Sequence, residues 1–298
     1  MSYISNECGY FINDKDKDRE YKAIIEHLEE LEKEKKKINI MKFVINKGTP
    51  YKFIKKYPDY EQLSEIIYND DIMDINNQKL DGNLSFLWIF ESLKKNMNGF
   101  SYKKSWEDNQ IFLENVFKIL DLFYDYPHIL KNYFFKNNFV KHIGYSIPTY
   151  DSLRIIAKAV KDKVVLEIGS GTGTYAAILR MMGLNIRVTD NYSMYPLLDR
   201  RVKSWITIEK LYSLEAVTKY RDSQVLMSVW PPMDCMAEEA LKEFKGDTFI
   251  YIGDKHFEFT GNYGLIEELF KKWKPVIMVK LLHFEDIEDY LIIYQRNN

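Results

Sequence analysis

Residues 164–190, VVLEIGSGTGTYAAILRMMGLNIRVTD, hold three glycines at alternate positions between a short apolar run and a helical pattern, with a carboxylate near each end. A strand that passes straight into a helix through such a turn exposes backbone that a ligand can approach closely, since no side chain stands in the way. The chain around it alternates in the same manner. Short apolar runs at VVLEIG, IRVTD, WITIEKL, QVLMSVW, TFIYIG, PVIMVKLL and DYLIIYQ are separated by helical stretches. That alternation predicts an α/β fold with a mostly parallel sheet covered on both faces. The last two runs are joined by the acidic loop HFEDIED with no helix between them, which predicts a closing antiparallel hairpin.

The spacing of the turn separates two ligand classes. A dinucleotide turn reads G-x-G-x-x-G and aims a helix N-terminus at a pyrophosphate. Here the order is E-x-G-x-G-x-G: Glu167 precedes Gly169, Gly171 and Gly173. A carboxylate in that place suits a cationic amino acid moiety better than a phosphate. Asp190 ends the next strand, where it can accept both hydroxyls of a ribose, a role that a dinucleotide would use equally.

At these residues the chain resembles the class I S-adenosylmethionine-dependent methyltransferases, over residues 145–298. VVLEIGSGTG is similar to the family's first motif, Asp190 to its ribose acid, VLMSVWPPMD to its fourth-strand motif, and the terminal hairpin to its antiparallel seventh strand. The resemblance implies a Rossmann-like seven-stranded sheet and S-adenosyl-L-methionine as cofactor. It implies cofactor contacts from Glu167, Gly169, Ser170, Gly171, Gly173, Asp190 and Asn191, and an adenine contact after the third strand, where Glu209, Lys210 and Leu211 stand without a clear pattern.

Methyl transfer needs donor and acceptor held at near-attack distance, with a base only where the nucleophile must lose a proton. The acceptor is expected beyond the fourth strand, at Trp230-Pro231-Pro232-Met233-Asp234. This turn is similar to the Pro-Pro motif of amino-methyltransferases, but Trp230 replaces its polar first residue and Met233 its final aromatic. Trp230, Pro231, Pro232 and Asp234 are the candidate catalytic residues, with Asp234 either orienting an acceptor or capping the helix that follows. His256 is a further candidate base, and Tyr145, Tyr150 and Tyr192 are candidates to line the open side of the cofactor.

Residues 1–144 read as a mainly helical region ahead of the methyltransferase-like 145–298. An amphipathic helix is expected from Asp16 to about Val44, with Ile24, Ile25, Leu28, Leu31 and Ile38 near one face. Further helices are expected at YEQLSEIIYND, LSFLWIFESLKKN and NQIFLENVFKILDLFYDYPHILKNYFF, and another over 149–160, opened by Pro148 or Thr149.

A net charge of −2 over 298 residues gives no strong nucleic-acid signal. The expected acceptor is therefore a small molecule or a protein side chain. Nucleic-acid amino-group methylation, or a non-catalytic scaffold, stands as the alternative. Cys8 and Cys235 form no Cys/His cluster, so no metal is expected. No apolar run approaches the length of a membrane span, which favours a cytoplasmic protein with no membrane partner. Oligomeric state is left open.

Overall fold

The computed structural model describes residues 78–99, 106–125, 130–131, 133–193, 204–257, 259–285 and 287–297, all within one compact unit, residues 65–298. The helices expected at 16–44 and in YEQLSEIIYND lie outside the described residues. Three helices come first: α1 (Gln78–Gly99), α2 (Trp106–Asp125) and α3 (Tyr133–His142). These match the expected LSFLWIFESLKKN segment and divide the long aromatic stretch after it into two. α4 (Tyr150–Ala159) starts where Thr149 accepts the Ser152 N–H and Ser152 caps back. That reciprocal box satisfies two donors that a helix start leaves orphaned.

The sheet follows: β1 (Val164–Ile168), α5 (Thr174–Met181), β2 (Asn185–Asp190), β3 (Glu209–Lys210), α6 (Ser213–Lys219), β4 (Val225–Val229), α7 (Met236–Glu243), β5 (Thr248–Asp254), α8 (Tyr263–Lys272), β6 (Trp273–Lys280) and β7 (Asp289–Arg296). Its order is β3-β2-β1-β4-β5-β7-β6. All neighbours are parallel except β7, which runs against both β5 and β6. This is the seven-stranded, Rossmann-like α/β sheet that the sequence predicts, with the expected closing hairpin. β5 is buried at every position, and β1 and β4 at all but one each, as central strands covered on both faces must be. β6 is the edge, so its Pro275 removes no ladder donor the fold needs, and the register shifts between Pro275 and Ile277.

The third strand differs from expectation. Of WITIEKL only Glu209–Lys210 pairs with β2. The residues before it are bound elsewhere: the Trp205 N–H donates to the Thr172 carbonyl at 2.9 Å and its indole N–H to the His142 carbonyl at 2.9 Å. This apolar run holds the glycine turn and is not free to extend the sheet.

The helical layer and the sheet share one apolar core. Ile89 and Leu93 of α1, Val116, Leu120 and Phe123 of α2, and Phe135 and Phe139 of α3 belong to the same buried cluster as Val165, Met227 and Ile250. Phe139 meets Phe284, in the loop between β6 and β7, edge-on at 5.4 Å. Because β6 is parallel to β5, that loop lies at the carboxyl edge of the sheet, and α3 packs there. Among the described residues no helix is long and apolar enough to cross a membrane.

Candidate functional site

The carboxyl ends of β1 and β2 face each other across the glycine turn. Gly169, Gly171 and Gly173 all adopt left-handed φ, at 61°, 57° and 73°, a region that costs other residues about 1–2 kcal/mol. Gly171 and Gly173 need it for different reasons. A Cβ on Gly173 would stand 2.7 Å from Ile206 Cγ2, so this glycine lets the helix start pack on the chain entering β3. A Cβ on Gly171 would meet nothing within 4 Å, so its bareness serves no packing and leaves open space beside the backbone. Gly171→Ala is therefore expected to lower stability by only about 1 kcal/mol, and Gly173→Ala by clearly more. Thermal melts of the two variants check this; equal losses would show that both positions serve packing alone.

Two carboxylates flank the turn. Asp190 accepts the Gly171 N–H at 2.8 Å through one oxygen and the Tyr192 N–H at 2.5 Å through the other. It is 9% exposed, and burial raises its pKa while the two backbone donors oppose the rise. Each carboxylate oxygen can accept two hydrogen bonds, so each retains a free acceptor site for a vicinal diol. Glu167 lies beneath the turn, 1% exposed, and its Oε2 has no hydrogen-bond partner. Burial pushes its carboxyl up to about 8; the Asp190 charge adds to this and Arg180 works against it. The Ser170 hydroxyl is likewise buried and without a partner. An orphaned acid and an orphaned hydroxyl beside open backbone fit a ligand that carries a cation with several N–H donors. They do not fit a pyrophosphate, which would bring two negative charges against the Asp190 carboxylate and push the buried Glu167 carboxyl further toward its neutral form.

The turn is held from outside by the chain leaving α3. The Thr172 and Thr174 hydroxyls both donate to the Ile143 carbonyl, at 2.6 and 2.7 Å. Asn191 uses its side chain locally, accepting the Ser193 N–H at 2.8 Å. Of the residues considered for adenine, Glu209 pairs with Lys219 and Tyr220, and the Leu211 N–H donates to the Asp190 carbonyl at 3.2 Å.

The Pro-Pro turn sits at the carboxyl end of β4. Trp230 adopts φ 53°, its N–H donates to the Ile252 carbonyl at 2.7 Å, and the Pro231 carbonyl accepts the Gly261 N–H at 2.9 Å. The indole N–H donates to Asp289 Oδ1 at 2.8 Å. Its ring stacks on Tyr145, centroids 4.9 Å apart and planes 14° from parallel. Pro232 is half-buried, Met233 exposed, and Asp234 exposed with its carboxylate accepting the Met236 N–H at 2.9 Å, at the start of α7. Tyr150 packs edge-on against Phe117, Tyr192 donates its hydroxyl to the Ile208 carbonyl at 3.3 Å, and His256 stands 3.7 Å from Glu288.

Three residues that the sequence reading does not single out stand here. Asp289, the first residue of β7, is fully buried. Ser146 lies 3.1 Å from the Tyr175 hydroxyl, and Met236 places its thioether where a Cβ on Gly169 would be 3.0 Å away. Asp289 is 59 residues from Trp230 in the chain, so only the antiparallel return of β7 brings them together. The available signal was an acid heading an otherwise apolar strand, DYLIIYQ.

No protein-family model matches the chain, and no curated protein matches it in sequence. Similar solved structures include the 1,6-didemethyltoxoflavin-N1-methyltransferase of Burkholderia thailandensis with 1,6-didemethyltoxoflavin and S-adenosylhomocysteine bound. It is 13% identical, with 50% of this chain and 78% of that chain covered and a TM-score of 0.36. The N-methyltransferase NodS of Bradyrhizobium japonicum is 15% identical over 50% of this chain and 93% of its own, TM-score 0.36. MtNAS in complex with MTA and tNA is 11% identical over 81% of this chain and 99% of its own, TM-score 0.36.

Proposed function

We propose that the chain is an S-adenosylmethionine-dependent methyltransferase acting on a small molecule or a protein side chain. The observation that carries this reading is the orphaned Glu167 carboxylate beneath the open backbone of Gly171, with Asp190 opposite. Glu167 and Ser170 would take the amino group of the methionine moiety, the Gly169–Gly173 backbone would pass under it, and Asp190 would hold the ribose hydroxyls. When bound, the cofactor supplies a methyl group on a sulfonium. The chain's own part is to hold the cofactor's cationic end, to set the ribose, and to present a wall at Trp230-Pro231-Pro232 against which the acceptor is placed. Against nucleic-acid amino-group methylation, the Trp230 side chain offers no acceptor at the position where the amino-methyltransferase motif has a polar residue, and its indole N–H is spent on Asp289.

Calorimetry is expected to give micromolar affinity for S-adenosylmethionine and S-adenosylhomocysteine, about −8 kcal/mol at 1 μM. Asp190→Ala removes the partners of two backbone N–H groups as well as the diol acceptor, and is expected to cost up to about 3 kcal/mol of that affinity. Absence of binding to the unmutated protein, or tighter binding of NAD, would overturn the proposal.

A further inference from the structure

The carboxyl edge of the sheet is unusually acidic for a buried surface. Glu167 near the end of β1, Asp190 ending β2, Asp254 ending β5 and Asp289 opening β7 are all buried. Among the described residues Lys255 is the only buried lysine or arginine, and its ammonium lies over the Tyr290 ring at 5.2 Å from the centroid. Two of the four acids, Glu167 and Asp190, belong to the glycine turn. Asp254 and Asp289 do not: they are direct partners across the β5–β7 ladder, on the side where the Pro-Pro turn stands.

Asp289 is the more telling of the pair. Its Oδ1 accepts the Trp230 indole N–H, while its Oδ2, fully buried, has no hydrogen-bond partner. Burial pushes its carboxyl up to about 7, against the nearby Ser146 hydroxyl and then the Trp230 donor, with Asp254 adding to the rise. A cation arriving beside it would draw it to the charged form. Asp289 meets the edge of an aromatic pair through the indole N–H: Tyr145, 42% exposed, stacked on the half-buried Trp230. An indole whose N–H is held by a carboxylate carries extra electron density on its face, the surface to which ammonium groups are attracted.

We infer that this edge receives its acceptor as a cation, a primary or secondary alkyl ammonium, with Tyr145 and Trp230 as aromatic wall and Asp289 as the negative charge at the indole edge. The inference rests on the methyltransferase reading for what becomes of the amine. The bound ammonium must first release a proton to solvent, after which its nitrogen lone pair forms the new C–N bond as the methyl–sulfur bond breaks and S-adenosylhomocysteine leaves. The binding step is measurable alone. Asp254 across the ladder strengthens the field. Lys255, whose ammonium lies over the Tyr290 ring, weakens it.

The test is ligand-observed NMR on the full-length chain, with S-adenosylhomocysteine present and absent, using n-hexylamine, 1-hexanol and hexanoate as probes. Hexylamine is expected to bind at least tenfold more tightly than hexanol, and hexanoate not at all. Asp289→Asn keeps an acceptor for the indole N–H and removes the charge; it is expected to weaken hexylamine at least tenfold, with S-adenosylhomocysteine affinity as the check on folding. Tyr145→Leu, at an exposed position, is expected to weaken hexylamine in the same direction. Equal binding of hexylamine and hexanol, no hexylamine binding up to about 10 mM, or an unchanged amine affinity in Asp289→Asn would overturn the inference and leave the methyltransferase proposal standing. Asp289-dependent amine binding in a protein that ignores S-adenosylhomocysteine would instead support the cation site and remove the methyltransferase reading.

Discussion

Glu167→Gln is expected to make the protein more stable at alkaline pH while reducing its affinity for S-adenosylmethionine by about a hundredfold or more, roughly 2.7 kcal/mol. Both effects come from one buried carboxyl. In the folded chain burial holds its pKa at about 8, against an ordinary value of 4.5. Between those two values the folded state keeps a proton that the unfolded state has released. The unfolded state binds fewer protons there, so stability falls as pH rises through this window, by about 1.4 kcal/mol per unit at its steepest. Glutamine has nothing to release, so this contribution to the slope disappears while that of Asp289 remains up to about pH 7, and the variant should separate from the wild type most clearly above pH 8. The affinity loss has the opposite origin, because an amide cannot offset the cationic amino group that would sit above it. Melting temperatures and calorimetry of both proteins between pH 5 and 9 read the two effects together. A variant that gains no alkaline stability would show that Glu167 is already ionised at neutral pH. One that binds the cofactor normally would remove Glu167 from the site.

The sheet was legible because its determinants are local. Each central strand is a short apolar run of five to seven residues bounded by turn signals, and the missing helix before DYLIIYQ leaves an antiparallel return as the simplest connection. The glycine turn was legible for the same reason, since Glu167, the three glycines and Asp190 lie within 24 residues. What the sequence could not convey depends on distant contacts. WITIEKL reads as a strand by pattern, yet Trp205 spends its two N–H groups on Thr172 and His142. Trp230 reads as either a wall or a strand end, and nothing near it in the chain announces that Asp289 will take its indole N–H or that Tyr145 will cover one face. The Pro231 carbonyl, free in a reading of the motif alone, is bonded to a glycine 30 residues on.

Trp230→Ala is expected to lower both stability and transfer, because the indole serves the fold and borders the acceptor face at once. Removing it deletes the Tyr145 stack and strips Asp289 of its indole donor, leaving a fully buried carboxyl with only the Ser146 hydroxyl nearby to favour its charged form. Together the lost packing and the orphaned acid should cost about 3–5 kcal/mol, and alanine at φ 53° relieves little of the left-handed strain. The loss should grow with pH. Burial already raises the Asp289 pKa to about 7 from 3.8, and the Ser146 hydroxyl and the indole donor both work against the rise. Without that donor the folded-state value climbs further, so the folded chain keeps its proton to higher pH and the Asp289 contribution goes on falling where in the wild type it has levelled off. Adding Asp289→Leu should restore part of the loss, since it removes the orphaned charge, and the two changes should be clearly non-additive. Transfer should fall by about 10- to 100-fold, or 1.4–2.7 kcal/mol in the barrier, with S-adenosylhomocysteine affinity nearly unchanged. Trp230→Asn should not recover activity, because it removes the aromatic wall stacked on Tyr145 and the indole donor to Asp289. A melting temperature unaffected by Trp230→Ala would disprove the coupling to Asp289; full activity in Trp230→Asn would return the chain to the amino-group alternative.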